Sequence, residues 1–225
     1  TGIVGVSGVG YAASREAVSG SLSNTKIGLS YERSGGVVNK GTTSWEASGT
    51  TIKGSVTGHK EWFASYNESS TLTIKNLYYV SAVFSYTVNK TQDNGGAHSF
   101  SASSGAVLAS KGTWTVTITS GKGDKTTSIE LTNISLTPIY NTTTFQTSEG
   151  GSYSVDNERI TSKTIKNNRD SYRLSATPSS SYVFVGWMRD GSLLSNNNPY
   201  NYIADKDATV NPAFSLIQNA SLFKV

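Results

Sequence analysis

Short runs in which every second residue is apolar recur along this chain, and each is closed by a turn signal. Over residues 26–33, Ile27, Leu29 and Tyr31 alternate with polar neighbours before Ser34-Gly35-Gly36, and residues 50–56 form a weaker run. Leu72, Ile74 and Asn76 share one phase over 70–77. Ala82, Phe84, Tyr86 and Val88 do so over 82–89, before the Asp93-Asn94-Gly95-Gly96 turn. Trp114, Val116 and Ile118 alternate over 114–119 and stop at the turn 121–124. A last run, 128–136, puts Ile129, Leu131, Asn133 and Ser135 on one face. Period two predicts strands, and a strand with one apolar face needs a second sheet against it. The expectation is an all-β fold: an antiparallel β-sandwich, followed by a smaller, mostly β domain.

The break between the two falls where Thr137-Pro138 is followed by the polar run Asn141-Thr142-Thr143-Thr144. This divides the chain into a sandwich over 1–138 and a second domain over 141–217, with 218–225 as a tail. In residues 1–25, Ile3, Val4, Val6, Val9 and Tyr11 sit among glycines, and 14–18 suits one helical turn. That stretch is either the first sandwich strand or the end of a preceding domain. In the second domain, Val183, Val185 and Trp187 fall in one phase and Tyr182, Phe184 and Gly186 in the other. Both faces are largely apolar, which predicts a central strand covered on both sides, with Trp187 as a packing residue.

Composition supports this picture. Glycine is abundant at 22 residues, there are only 4 prolines, charged residues make up 15%, and no apolar periodicity at helical spacing is visible. Cysteine is absent, so packing or a non-disulfide crosslink must hold the fold, as on a bacterial exterior or in the cytosol. The net charge of +4 is mild and the lysines are scattered, which argues against nucleic acid as a partner. The densest cluster, Lys163, Lys166 and Arg169, reads as a solvated edge strand whose lysines discourage edge-to-edge pairing. No apolar run approaches the roughly 20 residues that span a bilayer, so no membrane insertion is expected within these residues. The opening Thr1-Gly2-Ile3-Val4-Gly5 has neither Met nor a charged leader segment and reads as part of a longer product.

Residues 171–214 carry a polar strand ending Ala176-Thr177-Pro178, then Ser181-Tyr182-Val183-Phe184-Val185-Gly186-Trp187. A turn at Asp190-Gly191 follows, and a closing strand through Val210, Ala213 and Phe214. This resembles a divergent B-repeat of the internalin type, found in Gram-positive surface proteins. Ser181 stands where that pattern has Gly, and Pro212 interrupts the closing strand. The first part resembles the jelly-roll sandwiches of carbohydrate-binding modules through Tyr66, residues 70–76, Val83-Phe84-Ser85-Tyr86, residues 112–117 and above all 127–136. The resemblance implies an extracellular, cell-wall or cell-surface protein, monomeric and not an enzyme. Its sandwich would contact a glycan or an extracellular host or matrix protein. The alternatives are a spacer of a multidomain wall protein and an accessory domain of a larger secreted glycan-active enzyme.

Candidate chemistry is sparse. His59 and His98 sit beside Gly-rich turns, there is no Gly-x-Ser-x-Gly elbow, and no acid pair stands in a recognisable motif. Aromatic rings outside clean alternation are the candidate ligand contacts, because sugars stack on ring faces: Trp45, Trp62, Tyr66 and Tyr79. Phe84, Tyr86 and Trp114 share an alternating face and read as core. No cofactor is expected beyond a structural calcium, for which Glu46, Asp93 and Asp124 are the candidate ligands, although no Asp-x-Asp-x-Asp-Gly loop is present. Gram-positive adhesins also carry intramolecular Lys–Asn isopeptide bonds, and Lys75 or Lys53 with Asn133 and Glu130 supplies the residue types.

Overall fold

The computed structural model describes residues 15–35 and 40–217. The chain forms two compact units, Thr1–Ile139 and Tyr140–Val225. Among the described residues there is no helix, and none long and apolar enough to cross a membrane. The fold is all-β.

In the first unit the strands are β1 (Arg15–Glu16), β2 (Ser19–Leu22), β3 (Ile27–Gly35), β4 (Thr42–Gly49), β5 (Thr51–Thr57), β6 (His59–Lys60) and β7 (Ser65–Tyr66). They continue with β8 (Glu68–Asn76), β9 (Ala82–Asp93), β10 (Ala97–Phe100), β11 (Ala106–Leu108), β12 (Thr113–Thr119) and β13 (Thr126–Pro138). One sheet runs β1-β3-β8-β12-β10 and the other β11-β9-β13-β5-β4-β2; β6 and β7 pair only with each other. Pairing is antiparallel except between β2 and β4. Leu72, Ile74, Trp114, Val116 and Ile118 of the first sheet meet Ile52, Val56, Phe84, Ile129 and Leu131 of the second in one core. The alternation that marked these strands is therefore the burial pattern of a sandwich. Phe84, Tyr86, Phe100 and Trp114 stack together inside it, and the Trp114 indole donates to Ala102 O at 2.8 Å.

Three local expectations change. Residues 14–18 make no helical turn where described; β1 and β2 edge one sheet each. Residues 1–14 and 218–225 lie outside the described residues. In β13 the register slips between Thr132 and Ser135. Asn133 takes φ 52 and stands exposed, while Ile134 and Leu136 turn inward. A bulge adds one residue and flips parity, so Asn133 and Ser135 leave the face of Ile129 and Leu131.

The second unit has β14 (Asn141–Gln146), β15 (Gly151–Val155), β16 (Glu158–Ile160), β17 (Ser162–Asn167), β18 (Ser171–Pro178), β19 (Tyr182–Arg189), β20 (Ser192–Ser195), β21 (Tyr200–Ile203) and β22 (Ala208–Leu216). Its sheets run β17-β14-β22-β19-β20 and β16-β15-β18-β21, around a core of Phe145, Tyr153, Leu174, Trp187, Tyr202 and Val210. The lysine-bearing β17 is an edge strand. Pro212 does not end β22, because pairing with β14 stops at Val210 and the strand is paired on one side only thereafter. Ser181 adopts φ 70, the left-handed backbone that favours glycine. In β19 a register shift between Phe184 and Gly186 puts Trp187 inward with Phe184, leaving Val183 and Val185 exposed. The strand is thus buried on one face rather than two, and Trp187 is a packing residue.

Candidate functional site

A hairpin at one end of the sandwich is built from residues 58–67. Gly58 starts it by pressing against backbone. A Cβ there would lie 2.4 Å from both Gly123 O and Tyr66 O and 2.7 Å from Gly121 O, so only glycine fits. Gly58 N donates to Lys125 O at 3.0 Å and Gly123 N to Tyr66 O at 3.1 Å, clamping the hairpin base to the turn before β13. Glu61 N donates to Ala64 O at 2.7 Å and closes the tip. His59 Nε2 stands 2.9 Å from Glu61 Oε1, and Lys40 Nζ stands 3.5 Å from the same oxygen. The His59 hydrogen bond, then the Lys40 charge, hold the Glu61 carboxyl below its usual range.

Trp62 and Phe63 form the tip, 94% and 62% exposed. Their rings meet edge to face at 5.3 Å and 79°. Phe63 thereby steadies the indole and leaves it open to solvent, an arrangement suited to receiving a ligand surface. Tyr66, at the hairpin base, is half-buried and serves through its backbone.

The other two aromatic candidates lie elsewhere. Trp45 sits in mid-β4 and is 2% exposed; its Nε1 donates to Ser70 Oγ at 2.8 Å and its ring lies on Gly54. It is core, and no ligand reaches it. Tyr79 is exposed, with Lys111 Nζ 4.4 Å above its ring, while its neighbour Tyr78 packs on the core. Tyr79 follows the C-terminal end of β8, whereas the hairpin precedes its N-terminal end. Nine residues of strand separate them, about 30 Å. The two exposed aromatics cannot share a small ligand. The chain leaves the sandwich near Tyr79, where Ile139 N donates to Ser81 O, so the hairpin occupies the opposite end.

The acids do not assemble into a site. Glu46 faces Lys53 across β4 and β5, Asp93 is held by His98 at 2.7 Å, and Asp124 stands in the turn before β13. Among the described residues no three His, Cys, Asp or Glu converge on a cation position, so these three acids form no calcium cage. The outer face of the six-stranded sheet carries a row of alternating charge, Glu46–Lys53–Glu130–Lys90, in direct register. Beside it Ser44, Ser55 and Ser128 floor a shallow hollow of about 330 Å³.

Lys53 Nζ lies 3.6 Å from Glu130, which also accepts a short hydrogen bond from Asn89. The expected isopeptide partner Asn133 bonds Thr87 instead, and Lys75 sits on the other sheet. Asn89, then the nearby lysines, hold the Glu130 carboxyl below its usual range, and Lys53 is 60% exposed. A condensing site needs the reverse: an apolar setting with a protonated acid and a neutral amine. One acid is buried, Glu68, 1% exposed and paired with Arg33 at 3.0 Å. Burial raises its pKa, against the Arg33 interaction, and the Thr43 hydroxyl donates to it at 3.4 Å.

The chain matches no protein-family model, no curated protein and no solved structure.

Proposed function

We propose that the sandwich is a non-catalytic ligand-contact module of an extracellular surface protein, and that the 58–67 hairpin touches a glycan. One observation carries the reading. The Trp62 ring stands almost fully in water, with the largely exposed Phe63 against it, on a hairpin whose base is clamped by glycine contacts, at the end away from the chain's exit. Exposing such rings costs hydration free energy, and a preformed aromatic surface suits a partner that stacks on it. Glu130 is paired with Lys53, and Glu61 and Asp93 are hydrogen-bonded to His59 and His98, so these acids do not form the pair of carboxyl groups facing a cleft that glycoside hydrolysis uses, which favours binding over hydrolysis. The second unit displays only aliphatic large side chains among its most exposed residues after Tyr140, Val183, Val185 and Leu193 among them, and serves as a spacer.

The test is retention of the whole chain on a glycan array and on immobilised mucin, with wild type beside Trp62→Ala. Loss of one stacked ring predicts about tenfold weaker binding, roughly 1.4 kcal/mol. Stability should stay within about 0.5 kcal/mol, because the side chain packs on so little. Equal retention of the variant, or no retention of either protein, refutes the reading.

A further inference from the structure

We infer that Asn94 is a site of self-modification: Gly95 N attacks its carboxamide, the residue becomes aspartate and isoaspartate, and the isoaspartate loosens the joint at the hairpin base. This is independent of what the hairpin binds. Asn94-Gly95 is the one place in the chain where Asn precedes Gly. It lies in the crossover 94–96, where the chain leaves β9 in one sheet and enters β10 in the other. Gly95 adopts φ 72, a backbone that favours glycine, so the turn itself calls for this dipeptide. Both residues are exposed. Among the described residues neither the Asn94 carboxamide nor Gly95 N has a hydrogen-bond partner, so neither must first be released. Gly95 has no side chain to screen its nitrogen from the Asn94 side chain. Lys125 Nζ lies 3.6 Å from where a Cβ on Gly95 would stand, and its positive charge eases loss of the Gly95 proton. The Asp93 carboxylate, one residue earlier, is drawn to His98 at 2.7 Å.

The chemistry needs only water. Gly95 N gives its proton to solvent base and bonds to Asn94 Cγ. The Cγ–Nδ2 bond breaks, Nδ2 leaves as ammonia, and a succinimide ring closes. Water then opens the ring. Cleavage between Cγ and the Gly95 nitrogen gives aspartate on an unchanged main chain. Cleavage between the Asn94 carbonyl carbon and that nitrogen gives isoaspartate, whose main chain runs through Cβ and Cγ and is one carbon longer. The crossover has no room for that carbon. A Cβ on Gly96 would lie 2.0 Å from Thr119 O and 2.3 Å from Thr127 Oγ1, and one on Gly121 would lie 2.6 Å from Asn94 O. Gly121 O in turn stands 2.7 Å from the Cβ position of Gly58, at the hairpin base. Lengthening the chain at 94 therefore presses on Gly121, and through Gly121 on the hairpin base.

The experiment ages the whole chain for weeks in mildly alkaline buffer at physiological temperature, folded and, in parallel, unfolded in urea. Asn94→Gln, whose longer side chain closes the corresponding ring far less readily, is aged beside it. Peptide mapping by mass spectrometry and labelling by protein isoaspartyl methyltransferase follow the change. In the folded chain the peptide holding Asn94 should exchange NH for O ahead of every other Asn peptide and accept the methyl label. Its rate should stay within about tenfold of that in the unfolded chain, as at an unprotected turn. Asn94→Gln should show neither change there. Cation exchange then isolates the isoaspartate form. Its Gly58 and Gly123 amides, which bond Lys125 O and Tyr66 O across the joint, should exchange with deuterium at least about threefold faster than in Asn94→Asp, which carries the new charge on a main chain of normal length. An Asn94 that stays intact while other Asn peptides change, or a folded rate more than about tenfold below the unfolded one, overturns the modification. Equal exchange in the isoaspartate form and Asn94→Asp overturns the loosening of the joint.

Discussion

Gly54→Ala would decide whether Trp45 belongs to the core or to a ligand. Gly54 on β5 is directly opposite Trp45 on β4. A Cβ added there falls 2.2 Å from Trp45 Cζ3, 2.4 Å from Cε3 and 2.6 Å from Cη2. Carbon atoms in contact settle near 3.5–4.0 Å, so the overlap is about 1 Å or more at three ring atoms. The indole must move. Overpacking of this kind costs about 1–3 kcal/mol. If the ring slides, Nε1 loses Ser70 Oγ, and a buried donor without a partner costs about 1–3 kcal/mol more. The sum, about 2–5 kcal/mol, is a large share of the roughly 5–15 kcal/mol that stabilises a domain. Thermal unfolding followed by near-ultraviolet circular dichroism should show a midpoint lower by about 10–15 °C. Trp45→Leu in the same background makes room for the methyl group, so the double variant should be more stable than the two single losses predict by about 1–2 kcal/mol. A midpoint within about 2 °C of wild type, or strict additivity of the pair, refutes the packing of Trp45 on Gly54.

Two further outcomes follow from backbone strain and from buried phenols. Ser181→Gly relieves a left-handed backbone, φ 70, at an exposed turn before β19, and should stabilise the second unit by about 0.5–1 kcal/mol in urea unfolding; no change or a loss counts against that geometry. Burial, then the Glu16 hydrogen bond, pushes Tyr31 up to about 12, and burial, then the charges of Asp170 and Asp156, pushes Tyr172 up to about 12. The unfolded chain gives up these protons near 10, so the fold keeps their full contribution below pH 10 and loses it as pH rises towards 12. Urea midpoints should fall across that window, while phenolate absorbance lags behind that of free tyrosine; all 12 tyrosines ionising together near pH 10 would contradict the burial.

Alternation made the fold class legible because a sandwich strand buries every second side chain, and β5, β8 and β12 obey that rule, as β9 does over its first residues. β4 escaped notice because only Trp45 and Ala47 mark its inner face; the volume of one indole, seated on a glycine, replaces several ordinary apolar residues. β13 and β19 were legible as strands but not in phase. A single inserted residue near Asn133, or near Val185, exchanges the two faces, and nothing in a period-two pattern announces it. The left-handed Asn133 was the available signal, since asparagine tolerates that backbone better than most residues.

The same reasoning explains why Trp62 was readable as a candidate while its setting was not. Residues 59–66 break alternation because β6 and β7 pair only with each other and owe no face to either sheet. Released from the burial pattern, the hairpin can present Trp62 and Phe63 to water at no cost to the core. Holding it still is then the task of Gly58, Gly121 and Gly123, which bring two turns into backbone contact. In the sequence these glycines look like ordinary turn punctuation, some 60 residues apart. Only the folded chain reveals that they form one joint between the hairpin base and the turn before β13. The departure from alternation over residues 59–66 therefore marks a strand pair that belongs to neither sheet, and what holds that pair in place is known only once the turn that packs against it is known.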